Sequence, residues 1–127
     1  RLKNVVSDCL GKQALELLGA NIRKACFTPQ DRDARSQMLL GSMLAGMAFT
    51  NAPVAAVHAL AYTLGGHFHV PHGLSNALVL PYVMEFNMPQ ASQMYVELAP
   101  IIFPELIGKS DAQKADGLIE GFKVLGP

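Results

Sequence analysis

From Ser36 to Met84 the chain runs for 49 residues without a single Asp, Glu, Lys or Arg. All four histidines, His58, His67, His69 and His72, fall inside that run. Charged residues are plentiful on either side, so the segment differs in kind from its flanks. A stretch of this length that avoids charge implies burial. Buried imidazoles, an Asn and several glycines then imply a site, because unpaired polar groups are costly inside a protein.

The run is apolar enough to raise the question of a membrane span between Met38 and Leu64. Its apolar content, however, is built from Ala, Gly and Met rather than Leu, Ile and Phe. It also carries Ser42, Thr50, Asn51, Pro53, His58 and Tyr62, a composition that argues against lipid. Ten basic and ten acidic residues cancel over the 127 residues and form no basic stripe, which argues against a nucleic-acid partner. The length suits one domain with a real core. Cys9 and Cys26 show no CxxC or Cys/His spacing and read as buried or idle thiols of a reducing, cytoplasmic compartment. The chain opens without an initiator Met and stops at GFKVLGP, as expected of a piece of something longer.

Helical periodicity dominates. Val6, Leu10, Ala14, Leu17 and Leu18 share one face of a helix over 5–18, capped by Ser7 or Asp8 and stopped at Gly19, with a short helix over 21–27. Asp31-Arg32-Asp33 opens a helix over 32–49, where Gly41, Ala45 and Gly46 allow close approach of a neighbour. A third helix is expected over 53–64, led by Asn51 and Pro53 and ended by Gly65-Gly66. The His67–Pro71 stretch reads as an extended connection. Leu74 to Leu80 forms a fourth helix, tied by Ser75 or Asn76 and ended or kinked at Pro81. Residues 82–86 continue it, and 90–99 and 111–125 add two more. No strand signal appears, so the fold class is all-α, a bundle of five to seven helices.

A double-glycine reversal between His58 and His72 would bring the two imidazoles together, each offering a neutral nitrogen to a divalent metal. Spacing alone leaves open the alternative that His58 is a core histidine bonded to a carbonyl. No HExxH is present, no carboxylate lies between Asp33 and Glu85, and neither a nucleophile elbow nor a strand-borne phosphate loop can be found.

The string AGMAFTNAPVAAVHALAYTLGGHFHVPHGLSNALVLPYVMEFN closely resembles the signature region of the iron-containing, metal-dependent alcohol dehydrogenase family. That family joins an AGxAFxNA helix to a HAxAxxLGGxFHxPHG turn and an NAxxLP helix. Asp8, the 31–35 stretch and the closing GLIEGFKVLG also fit, so the resemblance covers nearly the whole chain. It implies a single incomplete helical domain over 1–127, the metal-binding part of a parent whose NAD- or NADP-binding α/β domain and C-terminal tail lie elsewhere.

The resemblance further implies that His58 and His72 are two of four ligands to Fe2+ or Zn2+. The aspartate and the first histidine of that set would precede Arg1. Phe49 and Asn51 match the segment walling the substrate and nicotinamide pocket, with His67 and His69 near the site. Tyr62 stands where several members carry a second histidine with a proton-relay role, and a phenol is a poor base at neutral pH. The implied reaction is hydride transfer between a small alcohol or aldehyde and NAD(P), with the missing cofactor domain of the same chain, and a second copy in a homodimer, as partners. Alone, the 127 residues should bind metal weakly and lack activity. The competing reading is a stand-alone helical interaction domain without chemistry.

Overall fold

The computed structural model describes residues 4–50 and 55–126, and the predicted lead-in of the third helix at Asn51 and Pro53 lies outside them. Among the described residues there are five α-helices, one 3-10 turn and no strand: α1 (Val5–Phe27), α2 (Arg32–Phe49), α3 (Ala56–Phe68), α4 (His72–Ile102), a 3-10 turn (Pro104–Leu106) and α5 (Asp111–Leu125). The all-α expectation holds. No helix of the described residues is long and apolar enough to cross a membrane. The helices form two compact units, one comprising α1 and α2, the other α3 to α5.

In the first unit α1 and α2 make a helical hairpin. Asn4, rather than Ser7 or Asp8, caps α1: its Oδ1 accepts from the Ser7 main-chain amide at 2.9 Å, and Ser7 Oγ accepts from the Asn4 main-chain amide at 3.1 Å. Ser7 therefore completes a capping box. The expected stop at Gly19 does not occur, and α1 runs unbroken to Phe27. A glycine costs a helix only about 1 kcal/mol, and packing against α2 along α1 outweighs that.

The seam between these helices is made of small residues. Ala14 and Ala34 are fully buried. A Cβ on Gly41 would stand 2.9 Å from Leu18 Cγ and 3.3 Å from the Ala14 carbonyl. Gly46, expected to serve the same purpose, has nothing within 4 Å of its would-be Cβ. The corner is fixed by Asp31, which accepts from the Ala34 amide at 2.8 Å and pairs with Lys24 at 2.7 Å. The Ala34 amide first, and the Lys24 ammonium second, hold the Asp31 carboxyl below its ordinary range.

The second unit is built on α4. The sequence reads here as a helix over 74–80 ended or kinked at Pro81 and continued over 82–86, then another over 90–99, yet α4 is continuous for 31 residues with Pro81, Pro89 and Pro100 inside it. Each proline removes one amide donor. Packing offsets this loss, because α3 lies along one part of α4 and α5 along another. Val83, Met84, Tyr95, Ala99 and Ile102 are buried on α4, and Ala115, Leu118 and Ile119 on α5, while the expected inward residue Phe122 is half-buried. Burial pushes the Tyr95 phenol above its usual value, partly offset by a hydrogen bond with Asn87. Lys123 on α5 reaches Glu85 on α4 at 2.6 Å and Glu120 at 2.8 Å, exposed pairs that orient more than they stabilise.

Helix α5 closes on the end of α4 through two glycines one turn apart. A Cβ on Gly121 would overlap the Phe103 ring, and one on Gly117 would stand 2.7 Å from Leu106 Cδ2. Phe103 meets Phe122 edge-on, with centroids 5.7 Å apart.

Two outcomes follow for stability. Gly121→Ala should destabilise in urea unfolding, since overpacking costs about 1–3 kcal/mol against about 1 kcal/mol of helix propensity regained. Gly66→Ala, exposed and with nothing within 4 Å, should instead stabilise by up to about 1 kcal/mol. Separately, a carboxyl depressed in the folded state contributes stability in full above its unfolded pKa. That contribution is lost as pH falls through the folded value. Thermal melts of wild type and Asp31→Asn should therefore differ at neutral pH and converge as pH falls below the ordinary aspartate range.

Candidate metal site

The site is positioned by the reversal between α3 and α4. Gly65-Gly66 does not end α3; both glycines are helical, and the helix runs on through His67 to Phe68. His69 makes the stop. It takes the left-handed conformation, φ 54°, and its amide donates to the Gly65 carbonyl at 3.1 Å. This is the cap geometry that glycine usually provides. Pro71 then presets the entry to α4, which begins at His72. Ser75, fully buried, locks the turn: its hydroxyl lies 3.3 Å from the Val70 carbonyl and 3.2 Å from that of Pro71, and its amide donates to Pro71 at 2.9 Å.

This reversal sets the His58 and His72 rings together, with centroids 5.3 Å apart and planes at 55°. Tyr62, one turn beyond His58 on α3, stacks on His72 at 5.6 Å and 18°, and meets His58 edge-on at 6.2 Å. The three rings form one cluster, open to solvent on the His72 and Tyr62 side. His67 and His69 do not join it through any ring contact among the described residues: His67 lies against Phe68 at 6.4 Å, His69 caps α3, and both are exposed. Phe49 is the exposed last residue of α2 in the other unit, and Asn51 lies outside the described residues.

The pair can be tested against a divalent ion. Metal–nitrogen bonds of about 2.1 Å put an imidazole centroid roughly 3.2 Å from the ion, and tetrahedral coordination then separates two centroids by about 5 Å. The observed 5.3 Å fits two corners of such a site. Among the described residues no group of three or more His, Cys, Asp or Glu gathers anywhere.

Asn76 belongs to the site as well. The sequence reading treats it only as a residue that ties the first turn. In the structure its Nδ2 lies 3.0 Å from His72 Nε2 and 3.0 Å from the His72 carbonyl, while its Oδ1 is buried without a partner among the described residues. The i, i+4 spacing of His72 and Asn76 is the signal that could have found it.

The uncharged run is less buried than its composition implies. Among its described residues Gly41, Ala61, Ser75, Pro81, Val83 and Met84 are buried, whereas Leu39, Met43, Met47, Leu60, Phe68 and Tyr82 are at least half exposed. Cys9 and Cys26 are also exposed, not buried, and both are free.

Comparison with known proteins gives the family. Residues 3–126 match the model for the C-terminal part of the Fe-containing alcohol dehydrogenase family. The chain belongs to that family. It is 55% identical over 80 residues to long-chain-alcohol dehydrogenase 1 of Geobacillus thermodenitrificans, covering 63% of this chain and 20% of that protein. It is 36% identical over 116 residues to 1,3-propanediol dehydrogenase of Klebsiella pneumoniae, covering 91% of this chain and 30% of that one. A solved alcohol dehydrogenase from Oenococcus oeni superposes with a TM-score of 0.89 at 38% identity, over 96% of this chain and 32% of its own. The chain thus spans between a fifth and a third of the length of these relatives.

A left-handed histidine costs about 1–2 kcal/mol that glycine does not pay. His69→Gly should therefore raise stability by about 1 kcal/mol in urea unfolding, and His69→Val should lower it, if His69 acts only as the cap.

Proposed function

We propose that this chain supplies part of the helical, metal-binding half of an NAD(P)-dependent alcohol dehydrogenase, with His58 and His72 as two ligands of a divalent ion, Fe2+ or Zn2+. The observation that carries the reading is the 5.3 Å separation of the two rings across the α3–α4 reversal. Family membership supports it, as do relatives named for alcohol and propanediol dehydrogenation. When bound, the ion supplies Lewis-acid polarisation of an alcohol or aldehyde oxygen, and NAD or NADP supplies the hydride acceptor or donor.

The residues of this chain have simpler tasks. His58 and His72 offer neutral nitrogens from two helices whose junction is rigid, so little ordering is needed when they bind. Tyr62 stacks on His72, restricts that ring, and places a hydroxyl-bearing ring beside the pair. It orients polar groups rather than removing a proton. His67 and His69 contribute polar surface at the adjacent end of α3. Phe49 and Asn51 keep the pocket-wall role that the resemblance implies.

The exposed apolar side chains of α3 and α4 favour docking against further polypeptide. The cofactor domain of the same chain is the partner this reading requires, with a second copy as a further neighbour. Two exposed, unpaired cysteines fit a cytoplasmic location.

Calorimetric titration with Zn2+ tests the reading. The 127-residue chain should bind one ion more weakly than micromolar. Loss of an outer-shell partner alone costs metal sites about 10- to 100-fold, so His58→Ala or His72→Ala should each cost at least about tenfold. Binding that neither substitution alters, or sub-micromolar affinity with these two ligands alone, would refute it.

A further inference from the structure

We propose that Asn76 is a positioning residue for His72, holding its ring in the tautomer that presents a bare Nε2 and giving up that contact when a metal enters. The inference rests on the metal-ligand reading of His72 given above. It starts from one atom. Asn76 Nδ2 lies 3.0 Å from the His72 main-chain carbonyl, and a carbonyl oxygen can only accept. The side-chain atom there must be the amide nitrogen, not the oxygen. The same nitrogen lies 3.0 Å from His72 Nε2. An amide nitrogen donates and does not accept, so Nε2 must be the acceptor, with its lone pair toward Asn76. In the neutral ring the proton then sits on Nδ1.

Two features make this contact a placeholder rather than a fixture. The amide carries two hydrogens, one for the His72 carbonyl and one for Nε2, so Asn76 can surrender the second and stay anchored by the first. Its Oδ1 is buried without a partner among the described residues, so none of them adds on that side to the hold of the amide on the ring. Metal-bound histidines generally have their tautomer fixed by a partner on the other nitrogen. Here the partner sits on Nε2, the nitrogen this proposal assigns to the metal, and it sets the tautomer before the metal arrives.

Long-range proton–nitrogen NMR of the metal-free protein at about pH 8, where imidazole is ordinarily neutral, reads the tautomer directly. Wild-type His72 should show an unprotonated Nε2 and a protonated Nδ1. Asn76→Ala should give a mixture of tautomers. Asn76→Asp, nearly isosteric but an acceptor only, should move the proton to Nε2. A wild-type ring protonated on Nε2, or a tautomer ratio unchanged in both variants, overturns the proposal. Adding Zn2+ to wild type separates the two readings. Shifts at His72 Nε2 together with the Asn76 side-chain amide support displacement; a shift at Nδ1 instead overturns it. If neither His58 nor His72 responds to Zn2+, the metal reading and the displacement fall together, while the metal-free spectra still decide whether Asn76 sets the tautomer.

Discussion

The reversal between α3 and α4 is the constraint on which the second unit depends. Three residues impose it: His69, which ends one helix in a conformation usually left to glycine; Pro71, which removes a donor and fixes the entry to the next; and Ser75, whose buried hydroxyl meets the carbonyls of the connecting residues. None of these contributes much by itself. Together they determine how far the last turns of α3 stand from the first turn of α4, and hence the separation of His58 and His72. The rings are only as well placed as the turn beneath them.

The length of α4 serves the same end. A helix of 31 residues that carries three internal prolines gains little from its own hydrogen bonding at those points. It survives because it is the common wall of the unit, packed by α3 near its start and by α5 near its finish. The glycines of α5 at 117 and 121 allow Leu106 and Phe103 to sit almost on its backbone, which anchors the far end. Anchored there, α4 presents its first turn, with His72 and Asn76, at the opposite end.

The sequence made some of this legible and hid the rest for definite reasons. Helix type was readable throughout, since the periodicity is strong, and α2 and α5 were bounded correctly by their charged or capping first turns. Several boundaries failed where Gly or Pro was taken as punctuation. Gly19, Gly65 and Gly66 lie within helices, and Pro81 and Pro89 lie within α4, because packing against neighbouring helices outweighs a local preference of about 1 kcal/mol for Gly and about 3 kcal/mol for Pro. The expected convergence of His58 and His72 rested on the wrong turn, the double glycine, while the turn that brings the rings together lies three residues later. Family likeness, carried by a motif of unbroken register, was far more informative than spacing. Asn76 went unrecognised as a partner of His72 although the i, i+4 spacing places the two side by side, because which ring nitrogen it meets depends on a ring orientation that spacing does not encode.

The absence of charge between Ser36 and Met84 acquires a physical meaning from the ring pair. Two neutral imidazoles leave the whole charge of a divalent ion uncompensated, and without nearby carboxylates two corners hold such an ion poorly. A carboxylate within the run would trap metal on this half alone, at an open and solvent-washed position. Lacking one, the half-site stays weak until residues from outside it supply the remaining corners and the negative charge. Under the proposed function, metal loading is thereby tied to assembly of the cleft in which the hydride is transferred, and an ion is held firmly only where both halves of the site are present. The exposed apolar residues of α3 and α4, Leu60 and Tyr82 among them, favour the same event by supplying surface for a covering partner.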